Sequence, residues 1–122
     1  MFFAPCWPQK TKSSIARAYP WVMFAARASL FGLCGALPEH NLGAARADLY
    51  YPYLGLAVEV DTGTQSKQQL LKKADRYRRV KVANIAMATS GDRKRLQIFL
   101  GALGFGYGAV WDDLEKLLKQ IA

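Results

Sequence analysis

The chain has 122 residues, is hydrophobic at 52% of its positions, and carries 17 Lys and Arg against 9 Asp and Glu, a formal charge of +8. The apolar share excludes an intrinsically disordered chain, the length suits one domain with a modest core, and the single histidine, His40, excludes a multi-histidine metal centre. The basic surplus points to a polyanionic partner, either nucleic acid or an anionic surface.

Residues 1–12, MFFAPCWPQKTK, predict an irregular N-terminal arm, because Pro5 and Pro8 interrupt regular structure. An apolar helix is expected over 14–35, with Pro20 starting it late or kinking it. The run from Tyr19 to Leu37 is the most apolar in the chain and faintly resembles a signal sequence or a membrane span. Arg27 lies in its middle, where a charge costs about 3 kcal/mol on insertion scales. A helix that packs on the core, with a face for dimerisation, is therefore expected rather than a membrane segment. Cys6 and Cys34 lack metal-ligand spacing and are expected as free thiols in a reducing, cytoplasmic (intracellular) compartment, a disulfide being the other reading.

Gly32, Gly35 and Pro38 end the helix, and Glu39 and His40 follow in a loop. Strands are expected over 45–51 and 56–61, joined by a turn at 52–55. The second is apolar until its acids, which suits a central strand. Period two sends Glu59 and Asp61 to one face and Val58 and Val60 to the other. A hairpin between the two strands brings Asp48 beside Glu59. Buried carboxylates so arranged call for a cation, a proton or hydrogen bonds, and a metal site in a basic protein answers that need.

A turn at Thr62-Gly63 leads to Ser66-x-x-Gln69, a capping box that opens a helix running to about Arg79. Leu70, Ala74 and Tyr77 form its buried stripe. Gln69, Lys73 and Arg76 lie alongside, while Lys67, Lys72 and Arg79 face water. Residues 80–89 predict another buried strand, and Ser90-Gly91-Asp92 a turn and N-cap. The following helix, to about Leu103, opens on Arg93, Lys94 and Arg95. Three cations there oppose the helix dipole, which phosphate binding would explain. A glycine-rich connection, a short extended piece and a terminal helix, capped by Asp112-x-x-Glu115 and ending near Ile121, complete a single domain over 1–122.

The element order, with Asp48, ten residues, then Glu59-Val60-Asp61, resembles the PD-(D/E)XK nuclease superfamily and its restriction-endonuclease-like fold. The stretch VEVDTGTQSKQQLLKKADRYRR is similar to nuclease-like plasmid and viral proteins of the replication-relaxation type. The resemblance covers about residues 40–100. It implies an α/β fold with an αβββαβ core, a mixed central sheet flanked by helices, and added C-terminal helices. It also implies a divalent-metal-dependent endonuclease that uses Mg²⁺ or Mn²⁺, has no small-molecule cofactor, acts on DNA with RNA as the other substrate, and is compatible with a homodimer.

Under the resemblance Asp48 and Glu59 match the metal-binding acids, although Ala47 replaces the usual preceding Pro. Val60 matches the spacer whose carbonyl completes the metal site. Asp61 stands where a Lys is expected and becomes a third acid; Lys73, with Lys72 second, takes the migrated Lys role. Gln69 and Tyr77 are similar to a helix pair of the RecB-like branch, and Glu39 stands in for an acid supplied from the first helix. Lys67, Gln69, Lys72, Arg76, Arg93, Lys94 and Arg95 would contact the nucleic acid.

Three other readings are open. The missing strand Lys suits a nucleic-acid-binding relative without catalysis. Asp61-Thr62-Gly63-Thr64, with Phe99-Leu100-Gly101 downstream, resembles the signature of dimeric aspartic proteases, but the residues after it are helix formers and that fold is nearly all β. A membrane-associated structural protein would leave the E-x-D cluster unexplained.

Overall fold

A computed structural model describes residues 21–121 of the chain. The expected irregular arm and the first part of the apolar helix lie outside the described residues. In order, the elements are α1 (Trp21–Ser29), β1 (Leu37–Asn41), β2 (Arg46–Tyr51), β3 (Leu56–Asp61), α2 (Lys67–Arg78), β4 (Asn84–Thr89), α3 (Arg93–Leu103), β5 (Tyr107–Val110) and α4 (Leu114–Ile121). The strands form one sheet in the order β1-β2-β3-β4-β5. The first three make an antiparallel meander, and β4 and β5 run parallel to β3. The α/β class and mixed sheet agree with the sequence reading.

Alternation along β3 divides the core into two layers. Leu56, Val58 and Val60 join Leu49, Tyr51 and Ala88 beneath α1 and α4, where Phe24, Leu114, Leu117 and Leu118 pack. Ala57 joins Ile85 and Met87 beneath α2 and α3, whose Leu70, Ala74, Tyr77, Phe99 and Leu103 cover that face. All six residues of β3 are buried, as a central strand covered on both faces requires. Glu59 and Asp61 therefore enter the α2/α3 layer as charged members of an apolar surface.

Local chemistry sets the joints. Pro52 to Leu54 form a 3₁₀ turn closed by Gly55 at φ 56°, a left-handed conformation that glycine adopts without strain. Asn84 then fixes the start of β4, its N–H donating to Gly55 O at 2.9 Å and its side-chain amide to Leu54 O at 3.1 Å. The capping box at Ser66 and Gln69 is formed in both directions. Arg27 lies 5.5 Å over the Trp111 ring, so the charge that interrupts the apolar run pins α1 to the turn before α4. Among the described residues no helix is long and apolar enough to cross a membrane.

Three expectations are corrected. Glu39 and His40, expected in a loop, lie in the edge strand β1, Leu37–Asn41, paired to β2 with Pro38 opposite Leu49 and His40 opposite Ala47. Its burial alternates too little to leave a pattern in the sequence, and an edge tolerates Pro. The strand expected over 80–89 begins only at Asn84, because Val80–Ala83 make the connection from α2. Cys34 is disulfide-bonded, against the expected free thiol, and Cys6 lies outside the described residues. Spacing along a chain does not report the approach in space that a disulfide needs.

The two layers predict a contrast. Leu49→Ala, at a fully buried site, is expected to cost about 2–5 kcal/mol. Leu71→Ala, 39% exposed on α2, should change stability by no more than about 0.5 kcal/mol. Urea unfolding of both variants checks this.

Candidate functional site

The meander places carboxylates in register. The β2–β3 ladder ends at the pair Leu49–Val58, and Asp48 and Glu59 follow immediately beyond it on their two strands. Pro38 pairs with Leu49 and His40 with Ala47, which sets Glu39 across from Asp48 on the other side. Glu39, Asp48 and Glu59 thus form a row across β1, β2 and β3. They line a cleft of about 310 Å³ with Arg46, Lys73, Arg76 and Tyr77, floored by Ala45 and Ala47. Lys73 and Tyr77 come from α2, four residues apart on the helix face above the row.

Glu59 is 2% exposed. Lys73 Nζ donates to its Oε1 in a direct ion pair, and Tyr77 OH donates to Oε2 at 2.9 Å. Burial, with the Asp48 charge as the second cause, still pushes its carboxyl up to about 7, and the Lys73 charge offsets only part of this. Asp48 is raised as well, chiefly by burial; Val60 N–H donates to its Oδ2 at 2.7 Å and lowers it in part. Tyr77 OH also reaches Arg46 O at 3.3 Å and so ties α2 to the meander.

At the mouth of the cleft, Arg46 Nη2 donates to Glu39 Oε2 at 3.1 Å and its Nε to Glu39 O at 3.3 Å. Glu39 has φ 47°, unusual for a residue with a side chain. His40 stacks on Tyr50 with ring centroids 5.1 Å apart beside this corner.

The cleft therefore joins Glu39, Asp48, Glu59, Lys73, Arg76 and Tyr77 from the sequence reading. Asp61 lies elsewhere. Arg95 binds it through Nε to Oδ2 and Nη2 to Oδ1, the latter at 3.0 Å, while Thr89 Oγ1 donates at 2.6 Å and Gln65 Nε2 at 3.2 Å. Burial alone would raise Asp61, but the bonds from Arg95 and Thr89 outweigh it and hold the carboxyl below its ordinary range. Arg95 Nη2 also reaches Gln65 O at 2.7 Å. This network fastens α3 and the end of β4 to the loop that opens α2. The expected third acid and one of the expected phosphate-binding cations are thus engaged with each other.

The remaining basic residues are dispersed. Arg93 is ion-paired to Asp113, Lys67, Lys72 and Lys94 are exposed away from the cleft lining, and Gln69 accepts Ser66 N–H at 2.8 Å within the capping box. Sequence reasoning missed Arg46. Its position beside Glu39 depends on β1 being a strand, which nothing in LPEHN announces.

Two carboxylates and the Val60 backbone offer hard oxygen donors suited to Mg²⁺ or Mn²⁺, which are commonly held by one or two carboxylates with water and substrate oxygens. A cation would also answer the burial that raises both acids. Among the described residues no group of three or more His, Cys, Asp or Glu side chains is gathered closely enough to hold a metal on its own. Of the donors that the resemblance implies, Asp48 and Glu59 line the cleft and Val60 does not. No family model, curated protein or solved structure matches the chain.

Two predictions follow from the two acids of β3. The folded protein keeps the Glu59 proton up to about pH 7, whereas the unfolded chain loses it near 4.5. Stability in metal-free buffer should therefore fall as the pH rises from about 4.5 to about 7, by on the order of 3 kcal/mol, and then level off. Glu59→Gln should remove that fall and leave the variant more stable than wild type at pH 8; denaturation midpoints across pH measure it. Arg95→Ala, which strands a buried Asp61, should cost about 3 kcal/mol. Arg93→Ala, at an exposed pair, should cost under about 1 kcal/mol by the same measurement.

Proposed function

We propose that the chain is a divalent-metal-dependent phosphodiesterase of the PD-(D/E)XK type that cleaves DNA, with a restriction-endonuclease-like core. The observation that carries the reading is the meeting of Asp48, Glu59 and Lys73 in one cleft of a basic protein. The sheet order supports it: an antiparallel meander, a crossover helix and a parallel strand follow α1 in the αβββαβ sequence that the resemblance implies. Asp61 stands where the family pattern has its strand Lys, and Lys73 from α2, which reaches Glu59, is the candidate for that role.

Asp48 and Glu59 would hold Mg²⁺ or Mn²⁺ together with Val60 O. The ion, when bound, polarises the phosphoryl group and lowers the pKa of the attacking water. The chain's own residues do the rest. Val60 N–H orients Asp48, and Tyr77 OH orients Glu59. Lys73 keeps a cation beside Glu59, where it would stabilise charge that develops on the phosphoryl oxygens. Arg46 and Arg76 at the mouth supply positive potential toward the DNA backbone.

The test is cleavage of plasmid and single-stranded DNA with Mg²⁺ or Mn²⁺. Wild type should nick DNA only with metal, Asp48→Ala and Glu59→Ala should fall to background, and Lys73→Ala should slow the reaction by about 10²–10³-fold. Salt-sensitive DNA binding without cleavage, unchanged by the two carboxylate substitutions, would identify a nuclease-like binder instead.

A further inference from the structure

A second cleft of about 430 Å³ adjoins the carboxylate cleft. Four residues line both: Glu39, Ala45, Arg46 and Arg76. Beyond them the second cleft runs along the β1–β2 hairpin past Asn41, Gly43 and Ala44. Its walls are small side chains, and its charge is concentrated at the end shared with the first cleft.

The two arginines at that junction differ. Arg46 already has its charge met by Glu39 at 3.1 Å. Arg76 forms no ion pair among the described residues, although Arg79, which caps the C-terminus of α2, pairs with Asp75. A solvent-exposed guanidinium, aimed into a groove and without an anionic partner, offers forked donors that suit a phosphate. The groove shares Glu39, Ala45, Arg46 and Arg76 with the cleft that holds the acids, an adjacency that suits a linear polyanion lying across both.

We propose that the second cleft is a subsite for the phosphodiester backbone of the nucleic-acid strand flanking the linkage held at Asp48 and Glu59, with Arg76 as its phosphate-binding residue. Ala44 and Ala45 leave room for the strand, and the Glu39–Arg46 pair marks the boundary between the two positions. The proposal rests on the nuclease reading for its direction along the strand, but its binding term stands apart from catalysis.

The experiment is fluorescence anisotropy with labelled single-stranded and duplex oligonucleotides, in EDTA, over a range of NaCl concentrations. Wild type is compared with Arg76→Gln and with Arg78→Gln, an exposed arginine of α2 that lines neither cleft. Losing one phosphate contact lowers the log–log salt slope by about 0.7 for a single strand and about 0.9 for a duplex. That drop is expected for Arg76→Gln, with the slope of Arg78→Gln unchanged. An unchanged slope for Arg76→Gln, or an equal drop for both variants, would overturn the subsite. Circular dichroism confirms that the exposed substitutions leave the fold intact.

Metal-dependent cleavage, assayed in parallel, separates this proposal from the nuclease reading. Cleavage by wild type with no Arg76 effect on the slope removes the subsite and keeps the nuclease. An Arg76-dependent slope without cleavage keeps the subsite on a binding protein and removes the nuclease. Neither binding nor cleavage by wild type overturns both.

Discussion

The structure depends on how it accommodates a carboxylate in the middle of its central strand. Glu59 is 2% exposed between apolar neighbours, and removing an unpaired carboxylate from water is too costly to leave unanswered. One element, α2, responds, while Asp48 of β2 adds a second negative charge. The helix brings Lys73 and Tyr77 from above, and Tyr77 continues to the backbone of Arg46 in β2. The answer is incomplete, since the carboxyl is still pushed up to about 7. An acid left in that condition, beside a second raised acid and an open cleft, takes up either a proton or, in the proposed reading, a cation. A purely structural acid would be expected to resemble Asp61, whose partners hold it low.

The contrast between these two acids is informative because they share a strand and a face. Asp61 receives two bonds from Arg95, one from Thr89 and one from Gln65. Its charge is spent on holding the loops at the ends of β3 and β4 together. Glu59 receives one cation and one hydroxyl, and the cleft lies open to its partner Asp48. Burial alone does not separate a site residue from a structural one here. What separates them is the number of donors and whether space for a ligand adjoins them.

Much of this was legible in the sequence because it follows from local periodicity. The alternation of LAVEVD fixed which side chains of β3 share a face, Ser66 and Gln69 announced the start of α2, and helical spacing put Lys73 beside the buried stripe that ends in Tyr77. The illegible parts are matters of tertiary approach. Arg95 stood in a run of three cations with nothing to show that its side chain turns inward to Asp61, while Arg93 turns to Asp113. Strand β1 hides because an exposed edge needs no apolar alternation, and its loss from the reading also hid the row that Glu39 shares with Asp48. The disulfide at Cys34 left no spacing signal either.

The central claim is that Asp48 and Glu59 together form a cation site, and it is most directly measured without nucleic acid. Titrating Mn²⁺ into the protein at pH 8, followed by electron paramagnetic resonance of the free ion, counts bound metal. The account predicts one site per chain that is lost in Asp48→Asn and Glu59→Gln and retained in Asp61→Asn. Binding that survives the first two substitutions, or no binding at all, would contradict it.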